Sequence, residues 1–262
     1  LNEEIAMVKS VAIVTGASQG IGRATALRLA RDFEALVLVA RNRENLQHTA
    51  RQVEAIGAQA LVLDADISAP GVPSKVVEQT LARFGRIDAL LNIAGAVPQI
   101  DLFEMTDEQW HDGAELKLHG ARRMTLAAWP ALKASRGSVV LMSGNSADTP
   151  KAGYAAVATI NAAIVALAKA FADRGIQEGV QVNSVLPGPV MTGRRRSFLE
   201  KWAPANGMSV EEATIRFPQN AGISRFGEPE EIADLLAFLV SPSAKWMTGS
   251  ALRIDGGEVK SV

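Results

Sequence analysis

Three glycines in the run Thr15-Gly16-Ala17-Ser18-Gln19-Gly20-Ile21-Gly22 lie between an apolar stretch and a segment whose Ala24, Ala26, Leu27, Leu29 and Ala30 read as a helix. Glycine lets backbone come close to an anion, and a helix start offers unpaired N–H groups and the positive end of a dipole. Strand, glycine turn and helix start in that order make a cradle for a pyrophosphate. The next apolar run ends Val39-Ala40-Arg41-Asn42-Arg43. An acidic residue there would accept from a ribose 2′-hydroxyl and repel a 2′-phosphate. Ala40 removes that repulsion, and the Arg41 guanidinium is a planar fork of donors suited to phosphate. This favours NADP(H) over NAD as the cofactor; the alternative makes Arg41 and Arg43 a solvated pair at a helix start.

Elements to carry such a site recur along the chain. Short runs rich in Val, Ile, Leu and Ala at 11–15, 35–40, 59–64, 88–92, 138–142, 180–185 and 251–254 read as buried parallel strands. Between them lie stretches of helical spacing, such as Leu46, Ala50, Val53 and Ile56, ending at a helix-terminating Gly57. The alternation predicts an α/β fold: one Rossmann-type doubly wound parallel sheet of about seven strands, with helices on both faces. With 262 residues, 48% of them hydrophobic, a single domain over 1–262 can bury such a sheet. Residues 193–219 break the alternation before a helix at 228–240 and are expected to form a substrate lid.

Composition narrows the chemistry. Lys plus Arg number 27 and Asp plus Glu 28, so neither a nucleic-acid partner nor a membrane anchor is expected. There is no cysteine, and His48, His111 and His119 lack metal-ligand spacing, which argues against thiolate chemistry and a bound metal. Glu3 and Glu4 run straight towards the first strand, unlike a secretory signal, and no apolar run reads as membrane-spanning. A cytoplasmic location is the expectation.

Downstream of the glycine turn come Asp66-Ile67, Asn92-Ile93-Ala94-Gly95, Tyr154, Pro187-Gly188 and Asp255-Gly256-Gly257. In order and spacing these resemble the short-chain dehydrogenase/reductase family over about residues 10–257. The resemblance implies a cofactor lying along Gly16, Ser18, Gln19, Gly20, Ile21, Gly22 and Arg41. Asp66 with Ile67 would meet the adenine edge, with a helix cap as the alternative for Asp66. Asn92 would brace the central strand or contact the cofactor, Ala94 and Gly95 would lie against the cofactor, and Pro187, Gly188, Val190 and Thr192 would hold the nicotinamide end. Gln19 stands where many NADP-preferring relatives carry a basic residue.

In the family a tyrosine exchanges the substrate proton, a lysine four residues later lowers its pKa, a serine polarises the carbonyl and an asparagine on the preceding helix completes the set. Tyr154, the chain's only tyrosine, has the expected place. The lysine position holds Ala158, the serine position Gly144 and the asparagine position Lys117, and the stretch before Tyr154 is shortened. Ser143 or Ser146 could take the serine's part or simply bond local backbone. An ammonium near a phenol favours phenolate, so Lys117 is expected within a few ångströms of the Tyr154 hydroxyl or one water away, replacing the lysine missing at 158, or else is a helix lysine without a catalytic part. Asn161 shares the helix face of Tyr154 and Ala158, to bond the ribose or Lys117 or to pack. Arg194, Arg195 and Arg196 could meet an anionic substrate or form a solvated lid face.

Together these readings predict an NADP(H)-dependent oxidoreductase moving hydride to or from a small carbonyl or alcohol, such as a 3-oxoacyl compound or another ketone. The alternative is a catalytically weakened NADP(H)-binding protein with a sensing or scaffolding role. Family members are usually homodimers or homotetramers, making Trp129, Phe171 and Trp246 interface anchors or core residues.

Overall fold

The computed structural model describes residues 9–261; Glu3 and Glu4, on which the reading of the amino-terminal segment rests, lie outside them. Seven strands form one parallel sheet: β1 Val11–Thr15, β2 Ala35–Ala40, β3 Gln59–Asp64, β4 Ala89–Asn92, β5 Ser138–Met142, β6 Gln181–Pro187 and β7 Ala251–Ile254. Their spatial order is β3-β2-β1-β4-β5-β6-β7, every neighbouring pair parallel. The chain reverses its direction of travel across the sheet between β1 and β4. A crevice opens there beyond the carboxyl ends of the strands, where ligands bind in open α/β sheets.

The helices are α1 Gly20–Leu29, α2 Arg43–Ile56, α3 Val72–Phe84, α4 Asp107–Ala114, α5 Ala121–Ser135, α6 Ala155–Glu178, α7 Gly193–Ala205, α8 Val210–Asn220 and α9 Pro229–Val240. Alternate strand residues face opposite layers because the side-chain period of a strand is two. Ala12 and Val14 of β1 pack with Leu29 of α1, Leu46 of α2 and Leu236 of α9. Val11 and Ile13 pack with Val76 of α3, Met124 of α5 and Ile164 of α6. Both faces of the central strands are therefore buried, which is why their sequences read as unbroken apolar runs. Local signals act as expected at α2: Asn42 accepts from the Asn45 N–H at its start, and Gly57 ends it at φ +114°.

One expectation needs correction. Among the described residues α6, with its 3₁₀ lead-in, is long and apolar enough to cross a membrane by length and composition. Its apolarity comes from closely spaced alanines, and Ile164, Ala168 and Ala172 bury against the sheet beside β5 and β6. It is the central core helix of the second layer. Trp129 and Phe171, expected as core or interface, meet with tilted rings 5.5 Å apart and pack against that layer, whereas Trp246 is 98% exposed.

Candidate active site

The crevice is a cavity of about 490 Å³. Its floor is the glycine turn. Gly16 takes φ +73°, and the N–H groups of Gly16 and Ala17 donate to the Val39 carbonyl at 2.7 and 3.3 Å, fastening the turn to β2. Helix α1 then begins with no side-chain cap and no acidic residue in its first turn. Its leading N–H groups and the positive end of its dipole are thus left for an anion. The closeness of the backbone explains the glycines: a Cβ on Gly22 would lie 2.1 Å from the Gly16 oxygen, and one on Gly16 would lie 3.1 Å from Ala94 backbone. Ser18, Gln19, Gly20 and Ile21 line the same stretch.

At one end of the cavity stand Ala40, Arg41, Asp66 and Ile67. Arg43 is held away by Asp64, its Nη1 3.0 Å from Oδ1, whereas Arg41 reaches only a loose pairing with Asp66 at 3.8 Å. Both side chains are exposed, but Arg43 is engaged by Asp64 while Arg41 keeps its donors at the cavity. Asp66 Oδ1 accepts from the backbone N–H and the hydroxyl of Ser68, so it caps the following turn while also lining the cavity. Burial raises its pKa, but the two Ser68 bonds and the Arg41 charge outweigh that and hold the carboxyl below its usual range.

Behind the middle of the cavity, Asn92 is buried and donates to Thr125 Oγ1 at 3.1 Å, tying β4 to α5. It does not line the cavity, so the structure gives it a contact between strand and helix and none with the cofactor space, the other part expected of it. Ala94 and Gly95 do, as do Pro187, Gly188 and Thr192, whereas Val190 is buried behind them and bridges to Gly227. Thr192 caps α7 by accepting from the Arg195 N–H, and its methyl lies against Gly20.

The remaining end is built around Lys117. It sits on a six-residue π-helical turn, Glu115–Gly120, where α4 passes into α5. Such turns widen a helix by one residue and re-aim side chains, often at functional sites. The Lys117 stem runs over Gly95, where a Cβ would come within 3.0 Å of its Cδ. Its ammonium donates to the Ser143 carbonyl at 3.0 Å and to Asn161 Oδ1 at 2.5 Å. Asn161 Nδ2 in turn donates to Ser146 Oγ at 2.9 Å, and the Ser143 hydroxyl donates to the Asn161 carbonyl at 2.8 Å. Among the described residues no carboxylate pairs with Lys117. Burial together with the nearby Arg194 charge lowers its pKa to about 8.

This geometry corrects the expected pairing of Lys117 with Tyr154. The Tyr154 hydroxyl donates to the Thr149 carbonyl at 3.2 Å, the residue ends a short 3₁₀ turn as the amino-terminal cap of α6, and it does not line the cavity. The side chain of α6 that meets the β5 turn is Asn161, not Ala158, and the residue one helical turn before Asn161 is Val157. Ser143 lines the cavity, but its hydroxyl proton is committed to the Asn161 carbonyl, and Asn161 lies behind the cavity wall. Counting forward from the conspicuous tyrosine concealed these relations. The glycine at 144 was the available signal for a side chain crowding the turn.

Gly144 is extended, so no special dihedral requires glycine there. Space does: a Cβ would lie 2.6 Å from Asn161 Nδ2. Gly144→Ala is therefore expected to displace the Asn161 amide and lower stability by about 1–3 kcal/mol, the usual cost of overpacking. The corresponding fall in Tm is about 2–4 °C per kcal/mol for a chain of this size, measurable by differential scanning calorimetry.

The start of α7 borders the cavity through Gly193, Arg194 and Arg195, and α8 packs on α7, both within the segment expected to be a lid. They share their own apolar cluster of Leu199, Ala203 and Ala213 with the rings of Phe198, Trp202 and Phe217. The three arginines of α7 part company. Arg195 lies over Phe198 and Phe217 at 5.4 and 5.1 Å, Arg194 donates to the Gly95 carbonyl at 3.3 Å, and Arg196 is exposed away from the cavity. Burial draws the Arg195 guanidinium below its ordinary range, with Glu258 opposing.

Residues 16–258 match the family model described as enoyl-(acyl carrier protein) reductase. The chain is 30% identical over 249 residues to the short-chain reductase protein NovJ of Streptomyces niveus, covering 95% of this chain and 94% of that one. It is 29% identical over 250 residues to the 3-oxoacyl-(acyl-carrier-protein) reductase FabG of Thermotoga maritima, covering 95% and 97%. Among solved structures, L-sorbose reductase from Gluconobacter frateurii, complexed with NADPH and L-sorbose, superposes with a TM-score of 0.93 at 30% identity, covering 98% of each chain. Matched over nearly its whole length by sequence and by fold, the chain belongs to the short-chain dehydrogenase/reductase family.

Proposed function

We propose that the protein is an NADP(H)-dependent oxidoreductase that interconverts a small ketone and its alcohol, a 3-oxoacyl compound or another ketone, within one catalytic unit. The observation that carries this reading is the cavity itself: an uncapped helix start beside glycines that a Cβ would obstruct, with Arg41 at one end and no acid at position 40. Those residues fit a dinucleotide carrying a 2′-phosphate. The NADPH in the L-sorbose reductase neighbour supports the same choice.

When bound, the cofactor would supply the hydride. Gly16, Gly20 and Gly22 would admit its pyrophosphate to the N-terminus of α1, and Arg41 would hold the 2′-phosphate. Asp66 and Ile67 would flank the adenine, and Gly95, Gly188 and Thr192 would flank the nicotinamide. The segment 193–219 would close over substrate, excluding water. Self-association, with the exposed Trp246 as an anchor, and a cytoplasmic setting complete the reading.

The test is consumption of NADPH with ethyl acetoacetate, cyclohexanone and L-sorbose, followed by absorbance. Turnover on at least one supports the reading. Tight NADPH binding with no turnover on a wide carbonyl panel favours the sensing or scaffolding role.

A further inference from the structure

On the reductase reading above, we propose that Lys117 itself is the proton donor to the substrate carbonyl oxygen, with Asn161 and the Ser143 carbonyl as the groups that aim it. An ammonium has three N–H donors. Two are engaged, by Ser143 O at 3.0 Å and by Asn161 Oδ1 at 2.5 Å, while the side chain lines the cavity. The third is left for a ligand there.

Other candidates for the proton are committed or remote. The Tyr154 hydroxyl is bonded to Thr149 O outside the cavity lining, Ser143 donates to the Asn161 carbonyl, and position 144 carries no side chain. Asn161 is itself anchored, since its Nδ2 donates to Ser146 and its amide fills the space that a side chain at 144 would need. An amide so fixed presents only its oxygen to Lys117, which sets the direction of the remaining N–H.

The step balances simply. A bound reduced nicotinamide would supply the hydride for the new C–H bond at the carbonyl carbon, while one Lys117 N–H breaks as the O–H bond forms and the neutral amine regains a proton from solvent. With a pKa near 8, Lys117 is mostly charged at neutral pH yet releases its proton far more readily than an ordinary lysine. Its charged surroundings are consistent with this. Arg194 from α7 approaches it, and Arg195 beside it also lines the cavity. On its own turn Glu115 is bound by Arg123 of α5 at 2.7 Å, with His119 two positions on. Helix α4 contributes Asp107, Glu108, His111 and Asp112 as exposed or solvent-edge groups; the cationic and acidic residues of α6 begin at Lys169, two turns beyond Asn161.

The sign of the pH dependence follows. The acid form is complete below about pH 8, so reduction should be level there and fall about tenfold per unit above it, whereas alcohol oxidation, which needs the neutral amine, should rise through the same value.

The experiment compares wild type with Lys117→Met, Lys117→Arg and Tyr154→Phe. Each is tested for NADPH affinity by fluorescence, for kcat and KM on whichever carbonyl of the panel wild type reduces, and for amine titration by NMR after reductive methylation with labelled formaldehyde. Circular dichroism checks folding. The expected result is a loss of kcat of about a hundredfold or more in both Lys117 variants with KM and NADPH affinity changed a few-fold at most. Lys117→Arg keeps the charge but cannot release its proton, so its failure separates acid catalysis from electrostatics. Tyr154→Phe should keep most of the turnover. Beside the α-amino signal, which titrates in the same range in both proteins, wild type should show a Lys117 methyl-amine signal titrating near 8 that Lys117→Met lacks.

The proposal is overturned by an active Lys117→Arg enzyme, or by loss of turnover in Tyr154→Phe while Lys117→Met stays active. If wild type binds NADPH but reduces nothing, the reductase reading fails by itself. In that case the titration is read for the side chain alone: a signal near 8 that Lys117→Met removes supports a readily released Lys117 proton, and a Lys117 signal near 10.5 overturns the proposal.

Discussion

Gly22→Ala is expected to abolish NADPH binding by a chain that remains folded. The added Cβ would lie 2.1 Å from the Gly16 carbonyl oxygen, a backbone atom that cannot swing aside as a side chain end can. Either α1 tilts away or the 15–18 turn opens. In both cases the N–H groups at the helix start lose their common focus on one anion. A loss of at least about a hundredfold in affinity, equivalent to about 2.7 kcal/mol, is expected in fluorescence titration. Circular dichroism should keep the α/β signature, because the sheet and the other helices do not depend on that contact. Unchanged affinity would place the phosphates elsewhere.

Arg41→Ala should separate the two nicotinamide dinucleotides. Its side chain is 68% exposed and its Asp66 pairing is loose at 3.8 Å, so little structure depends on it. Charge-assisted bonds to a phosphate contribute about 1.5–3 kcal/mol, so NADPH affinity should fall roughly ten- to a hundredfold. NADH, which presents a hydroxyl at the same place, should lose no more than about threefold. Isothermal titration with both dinucleotides checks this. Equal losses would remove Arg41 from the 2′-phosphate site.

The strands and the cofactor end of the cavity were legible because local rules decide them. A strand buried on both faces must be apolar throughout, as β1 and β2 are, and a turn packed closely on neighbouring backbone must lack side chains, as Gly16 and Gly22 do. The catalytic end was less legible. Tyr154 stands out in the sequence because it is the only tyrosine, yet its position depends on the three-dimensional course of a shortened loop. Which face of α6 meets β5 is a question of packing over the sheet, answered by the fit of Asn161 against Gly144. Lys117 was identified as a candidate, but a π-helical turn aims its side chain, and no periodicity in Leu116-Lys117-Leu118 distinguishes that turn from an ordinary helix. Likewise three consecutive arginines gave no hint that one stacks on aromatic rings and another reaches Gly95, because only the folded pair α7 and α8 supplies those partners.

The central claim, that this cavity holds NADPH for hydride transfer to a carbonyl, is tested most directly by the crystal structure of the protein with NADPH bound. The account predicts the pyrophosphate at the N-terminus of α1, the 2′-phosphate on Arg41, and the nicotinamide beside Gly188 and Thr192 with open space between its reactive carbon and the Lys117 ammonium. A dinucleotide bound outside the crevice, or one whose nicotinamide lies away from Lys117 with no room for a substrate, would contradict it.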